Sequence, residues 1–549
     1  MIIDKFYGKD WSKHKNTYFK GKFWYKNKLY KNDDAARLVS AKISLGNQWL
    51  KQIDGFFAII HLNSDSVQMV CDRIRSIPIF YAITSTDFYF GDDIQSLKLK
   101  TNSKFNSESI SEFLMGGIVM GEKTLLDNIS QVEAGTTVIY DKATRNLGSS
   151  SYFDYYLPES NRKNRKSLIS DWTIALENSI KRLIVYSADK KIVLPLSGGY
   201  DSRLIAIYLK KFGFENILCY SYGIKGNKES QVSKKVAEKL GLEWIFIETS
   251  ENFWSEFYNK YFDDKTKFFL SSYTSCPHLQ DWPVVFKLKE KGLIPKGSVF
   301  VPGHSGDFIG GSHIPLDLLS SYKSSKSKIS SNIISNHFNL FNENGYEKVT
   351  KKSYEEFVNL CHRQISNSIS KFVITESSSN ASIYELWDWK ERQSKFIVNS
   401  VKVYELFGFD WYLPLWDLEI MDVGLSVPLN LRYRTKLYSL ICKEISERNI
   451  AYKPKYNDFT WSGIHEIMHK SNMIKAWWKF KEILIRLKSK EKFQNSPNVG
   501  WHGAIPKTLV EKHSSYWVNF YSFLCYDYLC SIGALERDGN DFERGEKLK

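Results

Sequence analysis

The sequence predicts an α/β protein in two parts, a β-rich portion over residues 1–150 and a parallel-sheet portion over 151–549 that ends in a helical region. Three observations lead there. Short apolar or alternating segments separated by turn residues fill the first 150 positions. From Ile192 onward, apolar runs alternate with helical patterns, the order that gives a parallel sheet with right-handed crossovers. Two of those runs break into glycine-rich turns that each carry a single carboxylate, one at 197–202 and one at 303–311. At 549 residues the chain exceeds one ordinary core, and an apolar content of 43% with 15% aromatic residues marks it as globular.

In the first part, segments 56–60, 67–70, 77–81 and 136–140 read as strands, with turns at 63–66 and 85–87. Two clusters, 54–58 and 72–81, are strands bounded by turns with charged residues at the lip. The Ser-rich stretch 148–151 and the basic stretch 161–166 read as a linker. A helix over 168–186, with Trp172, Leu176, Ile180 and Leu183 on one face, then delivers the chain into the strand before Ser197.

The stretch 192–204 organises the second part. A buried strand (192–196) gives way to Ser197-Gly198-Gly199-Tyr200-Asp201-Ser202, after which helical apolar spacing resumes. Gly198 and Gly199 allow a ligand close to the backbone, Ser197 and Ser202 add hydroxyl donors, and the next helix offers free N–H groups, so the turn suits an anion. Asp201 would repel a bare polyanion; a divalent cation between them resolves the conflict, which points to a metal-bound nucleotide. Strands at 217–224 and 244–247 flank a helix over 229–240 that Gly241 ends. A further strand breaks at Pro302-Gly303-His304-Ser305-Gly306-Asp307. Two such turns at neighbouring strand ends make a two-carboxylate site for a cation and pyrophosphate. Residues 320–328 read as a mobile polar loop, and 387–445 as helical, interrupted at 408–417.

Clusters 54–58 and 72–81, followed by 88–94, resemble the class II glutamine amidotransferase domain, which implies an N-terminal-nucleophile αββα sandwich. In that family a cysteine attacks with its own α-amino group as base. Ile2 holds that place here and Cys71 lies inside a strand segment, so the resemblance implies a retained fold without glutaminase activity.

The Ser-Gly-Gly-x-Asp-Ser turn, the Glu-Ser run over 229–241 and the 303–311 turn are similar to the synthetase domain of asparagine synthetases and β-lactam synthetases, among the pyrophosphate-loop ATP pyrophosphatases. This implies an ATP-dependent amide-forming ligase. A substrate carboxylate attacks the α-phosphate of ATP to give an acyl-adenylate and magnesium-bound pyrophosphate, and ammonia or an amine then displaces AMP. Carried across, Asp201 and Asp307 hold Mg2+; Ser197, Gly198, Gly199 and Ser202 cradle pyrophosphate; Leu196, Tyr222, Pro302 and Gly303 border the nucleotide. His304 stands where asparagine synthetases have Glu and β-lactam synthetases have Tyr, a position tied to the amine half-reaction, and the family's second acid is replaced by Phe308. Asp410 matches the acid of the family's Glu-x-Arg-x-Pro-Phe-Leu-Asp segment, with Tyr412 in place of Arg and Asp417 as the final Asp. Lys455, in Lys453-Pro454-Lys455, matches the cation that neutralises the adenylating phosphate. Residues 268–282, with Ser275, His278 and Asp281, would line the family's substrate pocket. The carboxylate acceptor stays open between aspartate, another amino-acid-like carboxylate, a sugar acid and a peptide side chain. The nitrogen comes from free ammonia, a separate glutaminase or an amine on the substrate.

The 76 Lys and Arg against 61 Asp and Glu leave a net charge of +15, spread along the chain. That raises the alternative of an RNA-modifying pyrophosphatase, disfavoured because no CxxC pair or RNA module accompanies the loop. A non-catalytic nucleotide-binding protein is the other alternative, motivated by the altered 304–308 turn. The seven cysteines are scattered and the first residues carry no signal pattern, so reduced thiols in the cytoplasm are expected. His465-Glu466-Ile467-Met468-His469 fits a zinc-protease signature but lacks a third ligand nearby and reads as a polar helix face. The basic amphipathic stretch 473–493 reads as a core-facing helix in preference to a peripheral membrane contact.

Overall fold

The computed structural model describes residues 3–156, 164–319, 325–370, 379–450, 501–505, 509 and 515–537. In the N-terminal part the strands are β1 (Ile3–Tyr7), β2 (Ser12–His14), β3 (Thr17–Tyr25), β4 (Lys28–Lys31), β5 (Asp54–Leu62), β6 (Ser66–Cys71), β7 (Phe80–Ile83), β8 (Asp87–Gly91), β9 (Ser130–Gln131), β10 (Thr136–Asp141) and β11 (Leu147–Ser151). One sheet has the order β11-β10-β6-β5-β3-β2, with β4 on β3, and the other the order β1-β8-β7-β9.

Alternation along β5 shows how the layers form. Phe57 and Ile59 pack with Val39 of the helix Asn32–Lys42 and with Trp49, whereas Ala58 and Ile60 pack with Phe88, Phe90 and Tyr140 between the two sheets. On the outer face of the smaller sheet, Phe80, Ala82 and Tyr89 join Ile94 and Leu97 of the helix Ile94–Thr101 and Phe113 of the helix Ser107–Gly116. The layering is helix, sheet, sheet, helix, as the amidotransferase resemblance implies.

Two expectations change here. Residues 72–79 are not strand but a buried turn around the Asp72 carboxylate, which accepts from the N–H groups of Phe57 (2.9 Å) and Ile74 (2.8 Å). Burial pushes that carboxyl up to about 6 despite these bonds. The expected linker at 148–151 is strand β11, an exposed edge strand antiparallel to β10. Serine is tolerated there because neither face is buried. Tyr152 continues into the sandwich core and donates to the Cys71 carbonyl at 2.9 Å, so a boundary at 150 cuts through this domain's last strand.

The second part is built on β12 (Ile192–Pro195), β13 (Ile217–Gly223), β14 (Glu243–Glu248), β15 (Val299–Phe300) and β16 (Asp410–Trp411), all parallel, in the order β14-β13-β12-β15-β16. The chain runs outward from β12 to one edge and then restarts at β15 on its other side. The crevice at the carboxyl ends of β12 and β15 is therefore the topological switch point where such sheets bind ligands. The helix Lys228–Leu240 ends at Gly241, whose φ of 62° is the left-handed conformation that favours glycine. Of the stretch expected as a loop at 320–328, residues 326–328 open the helix Lys326–His337, with Ser325 as its cap accepting from Lys328 N–H.

The two parts meet across side chains of β3 and β16. Lys22 donates to the Trp411 carbonyl (2.6 Å), to Tyr186 (2.7 Å) and to Asp410 (3.0 Å), and Trp24 donates to the Tyr412 hydroxyl at 3.1 Å. Among the described residues no helix is long and apolar enough to cross a membrane, and no disulfide joins any of the seven cysteines.

Candidate active site

The Ser197 turn is held from within. Ser197 N–H donates to the Ser202 hydroxyl at 3.1 Å, Gly199 N–H to the Ser197 hydroxyl at 3.2 Å, and Arg203 to the Gly198 carbonyl at 2.9 Å. The helix Asp201–Lys211 starts at this turn, with its N-terminus toward the crevice. The second turn crosses the first closely. A Cβ on Gly303 would lie 2.8 Å from Ser202 N and 3.0 Å from Asp201 Cβ, so only glycine fits. Gly303→Ala is expected to push the turns apart, costing roughly 1–3 kcal/mol of stability and weakening ATP binding, which thermal melts with and without ATP will measure.

This crossing brings the two carboxylates together. The Asp307 N–H donates to Asp201 Oδ2 at 3.1 Å, and the Tyr438 hydroxyl donates to Oδ1 at 2.7 Å. Asp307 accepts from the Ser312 hydroxyl at 3.0 Å. Burial, and then the neighbouring charge of Asp307, push the Asp201 carboxyl up to about 7. Among the described residues no group of three or more His, Cys, Asp or Glu is arranged for a metal, so protein ligands at this place amount to a carboxylate pair.

A cavity of about 430 Å3 opens over the crevice. Leu196, Ser197, Gly199, Asp201, Ser202, Tyr222, Pro302, Gly303, His304 and Asp307, all expected from the sequence, line it together. Gly198 does not face it; its Cα packs against Glu229, and its carbonyl is taken by Arg203. Asp410 is displaced from the site altogether. It pairs with Val299 at the start of β15, the end of the sheet opposite the crevice, and its partners are Lys22, Lys190 and Tyr186. A catalytic role for it is replaced by one in joining the two parts. Lys455, the His465–His469 motif and the stretch 473–493 lie outside the described residues.

The far wall of the cavity carries His278, His304 and Asp281. His304 meets the Ser400 hydroxyl through Nδ1 at 3.3 Å, and burial lowers its pKa, with Asp281 and Asp307 acting against that. The next residue, Ser305, donates to Gln393 at 2.9 Å. Ser275, expected in the substrate pocket, is buried, does not line the cavity and accepts from Asn399 at 3.2 Å. Sequence reasoning missed Tyr438 and Ser400, which reach the site from helical segments more than 90 residues downstream and carry no local motif. It also missed the Tyr220 and Tyr404 hydroxyls that hold Asp281.

Fold and site define a class, an amidotransferase-type sandwich joined to a nucleotide-binding α/β domain. The glutamine amidotransferase domain family matches residues 19–153, and the asparagine synthase family matches residues 171–265. Over these residues the chain is similar to the asparagine synthetases. It is 22% identical over 302 residues to the microcin J25-processing protein McjC of Escherichia coli, covering 53% of each chain. It is 25% identical over 232 residues to asparagine synthetase [glutamine-hydrolyzing] 2 of Bacillus subtilis (strain 168), covering 39% of this chain and 31% of that one. The chain thus matches about half or less of the length of these curated relatives. Among solved structures, an NH3-dependent NAD synthetase from Campylobacter jejuni aligns with 39% of this chain and 99% of its own, at 12% identity and a TM-score of 0.20.

Proposed function

We propose that the protein is an ATP-dependent ligase that activates a substrate carboxylate as an acyl-adenylate, releases pyrophosphate and forms an amide with ammonia or an amine. The observation that carries this reading is the pairing of Asp201 with Asp307 beside the Ser197–Ser202 turn, at the switch point of the sheet. The donor set fits a magnesium nucleotide: two hard oxygen ligands on one side and hydroxyl and backbone N–H donors on the other. In this reading Asp201 and Asp307 would hold Mg2+, which supplies charge neutralisation for the departing pyrophosphate. Ser197, Gly199 and Ser202 bind the phosphates, and Leu196, Tyr222, Pro302 and Gly303 border the nucleoside. Lys455 is proposed as the cation at the α-phosphate.

The sandwich is proposed to lack glutaminase activity. Cys71 is the single cysteine in the matched span 19–153, and it is buried, with its thiol pushed up to about 12 by burial. A thiol held protonated is a poor nucleophile. The nitrogen donor is then free ammonia, ammonia from a separate glutaminase, or an amine on the substrate. Thiols not joined in disulfides support a cytoplasmic setting.

The test is carboxylate-dependent exchange of labelled pyrophosphate into ATP, with aspartate and peptide side-chain carboxylates screened first. Absence of exchange with every carboxylate class would sink the adenylation reading. His304→Ala is expected to leave exchange intact while amide formation falls roughly 100-fold or more, the usual loss of a general base.

A further inference from the structure

Asp281 lies outside both glycine-rich turns, yet its carboxylate is held by three tyrosine hydroxyls. Tyr222 donates to its Oδ1 at 2.7 Å, and Tyr404 and Tyr220 donate to its Oδ2 at 2.7 and 3.2 Å. The three hydroxyls come from two separate elements, β13 and the helix Lys402–Leu406, so the carboxylate is fixed in place from both sides. A carboxylate offers about four lone-pair sites, so three donors leave one for a ligand. Burial, then the Asp281 charge and hydrogen bond, hold all three tyrosines well above their usual pKa. They are neutral dipoles, not acids or bases for the reaction.

The surroundings select what can complete this site. Among the described lining residues the charged side chains are Asp201, Glu229, Asp281 and Asp307, with no Lys or Arg. Asp201 and Asp307 face each other across the two turns, and Glu229 lies against Gly198 beside the phosphate turn. Asp281 instead stands on the wall with two imidazoles, His304 and His278. Burial lowers both rings, His278 to about 3, so each is an uncharged acceptor near neutral pH. A fixed anion beside neutral acceptors binds a hydrogen-bond donor that carries positive charge.

We propose that Asp281 is the docking carboxylate for the protonated nitrogen donor, a primary ammonium group, and positions it beside His304. This rests on the ligase reading for its role in turnover, but not for the binding itself. In turnover the docked ammonium gives one proton to the His304 imidazole. The freed lone pair forms the new C–N bond at the acyl carbon, and the acyl C–O bond breaks with its electron pair on AMP. The nitrogen loses its second proton to solvent. Asp281 thereby selects a cationic amine over the amide of glutamine, which carries no charge. As a positioning residue it acts on the nitrogen side and leaves carboxylate activation alone.

The probe is methylammonium chloride titrated into the full chain, with tetramethylammonium chloride at equal ionic strength as the control, reading the His304 ring resonances by NMR. Methylammonium is expected to saturate while tetramethylammonium, which has no N–H, does not shift the ring. Asp281→Asn, checked for folding by its melt, is expected to weaken methylammonium roughly 10- to 100-fold, the worth of a charge-assisted hydrogen bond. Equal responses to both cations, or an Asn variant that titrates like the parent, would overturn the proposal. Should the variant not fold, the parent decides the matter: contacts between the methylammonium methyl protons and the Tyr222 and Tyr404 rings are expected, and their absence overturns it. Pyrophosphate exchange without amine tests the ligase reading separately. Methylammonium docking without exchange would remove the reaction and keep the site.

Discussion

Asp201→Asn is expected to abolish carboxylate-dependent pyrophosphate release and at the same time to stabilise the folded chain at alkaline pH. The first effect comes from losing one of the two carboxylates proposed to hold the cation. A fall of roughly 1,000-fold is expected, comparable with removing a principal electrostatic group from a transition state. The second comes from the raised pKa. The folded state holds the Asp201 proton up to about pH 7, whereas an unfolded aspartate releases it near 4. Folding therefore binds a proton in that window, and stability is lost as pH rises from about 4 to 7. Asparagine removes the buried charge while its carbonyl keeps the Tyr438 bond. The gain, on the order of 1–2 kcal/mol at pH 8 after discounting partial exposure, should vanish at pH 4. Melts of both proteins at the two pH values, beside a pyrophosphate assay, measure the trade. A variant that is inactive but gains no more stability over the parent at pH 8 than at pH 4 would show that the carboxylate pair is not strained.

Lys22→Ala is expected to produce the largest loss of stability of any single change between the two parts. The ammonium is buried, and burial lowers its pKa; it makes three hydrogen bonds and lies 4.2 Å from the Tyr186 ring and 4.8 Å from the Trp411 ring. Burial alone would raise the Asp410 carboxyl, but Lys22 and the Tyr186 hydroxyl hold it down to about 2. Truncation leaves the Trp411 carbonyl without its side-chain donor and takes from the carboxylate its nearest cation, while Tyr186 and Lys190 stay, a cost of about 3 kcal/mol. Lys22→Met, which keeps the aliphatic stem, should lose less. A depressed aspartate contributes stability above its unfolded pKa, so this part of the difference should fade as pH drops from about 4 toward 2. Equal melting temperatures for the parent and Lys22→Ala at pH 7 would refute the assignment. Turnover per folded molecule should not change, because the cluster lies at the end of the sheet away from the cavity.

Much of the site was legible in the sequence because each signal was local. The turn at 197–202 announces itself by composition, and the strand and helix runs around it by period, so ten of the residues expected at the site do line one cavity. What was not legible depends on distance in sequence. Asp410 stands at the acid position of a segment that resembles a family motif, yet its side chain answers to Lys22, 388 residues away, and no local pattern encodes that partnership. The Ser-rich strand β11 looked like a linker because an exposed edge strand has no apolar face to alternate. The turn at 72–79 looked like strand because its apolar residues are buried. The Ile74 and Ser76 N–H groups go to the Asp72 carboxylate, a solution that hydrophobic period cannot reveal.

The contact of Lys22 and Trp24 with the end of the parallel sheet gives the sandwich a structural duty apart from any chemistry of its own. β16 is the outermost strand, and an outer strand presents backbone groups that invite another chain to add itself. Here the Trp411 carbonyl is occupied by Lys22, and Phe56 of the sandwich lies 5.1 Å from the rings of both Trp411 and Tyr412. The sandwich is the lid on a raw sheet edge. Whatever its own chemistry, the sandwich is indispensable here as a neighbour, because discarding it would leave the remaining half sticky.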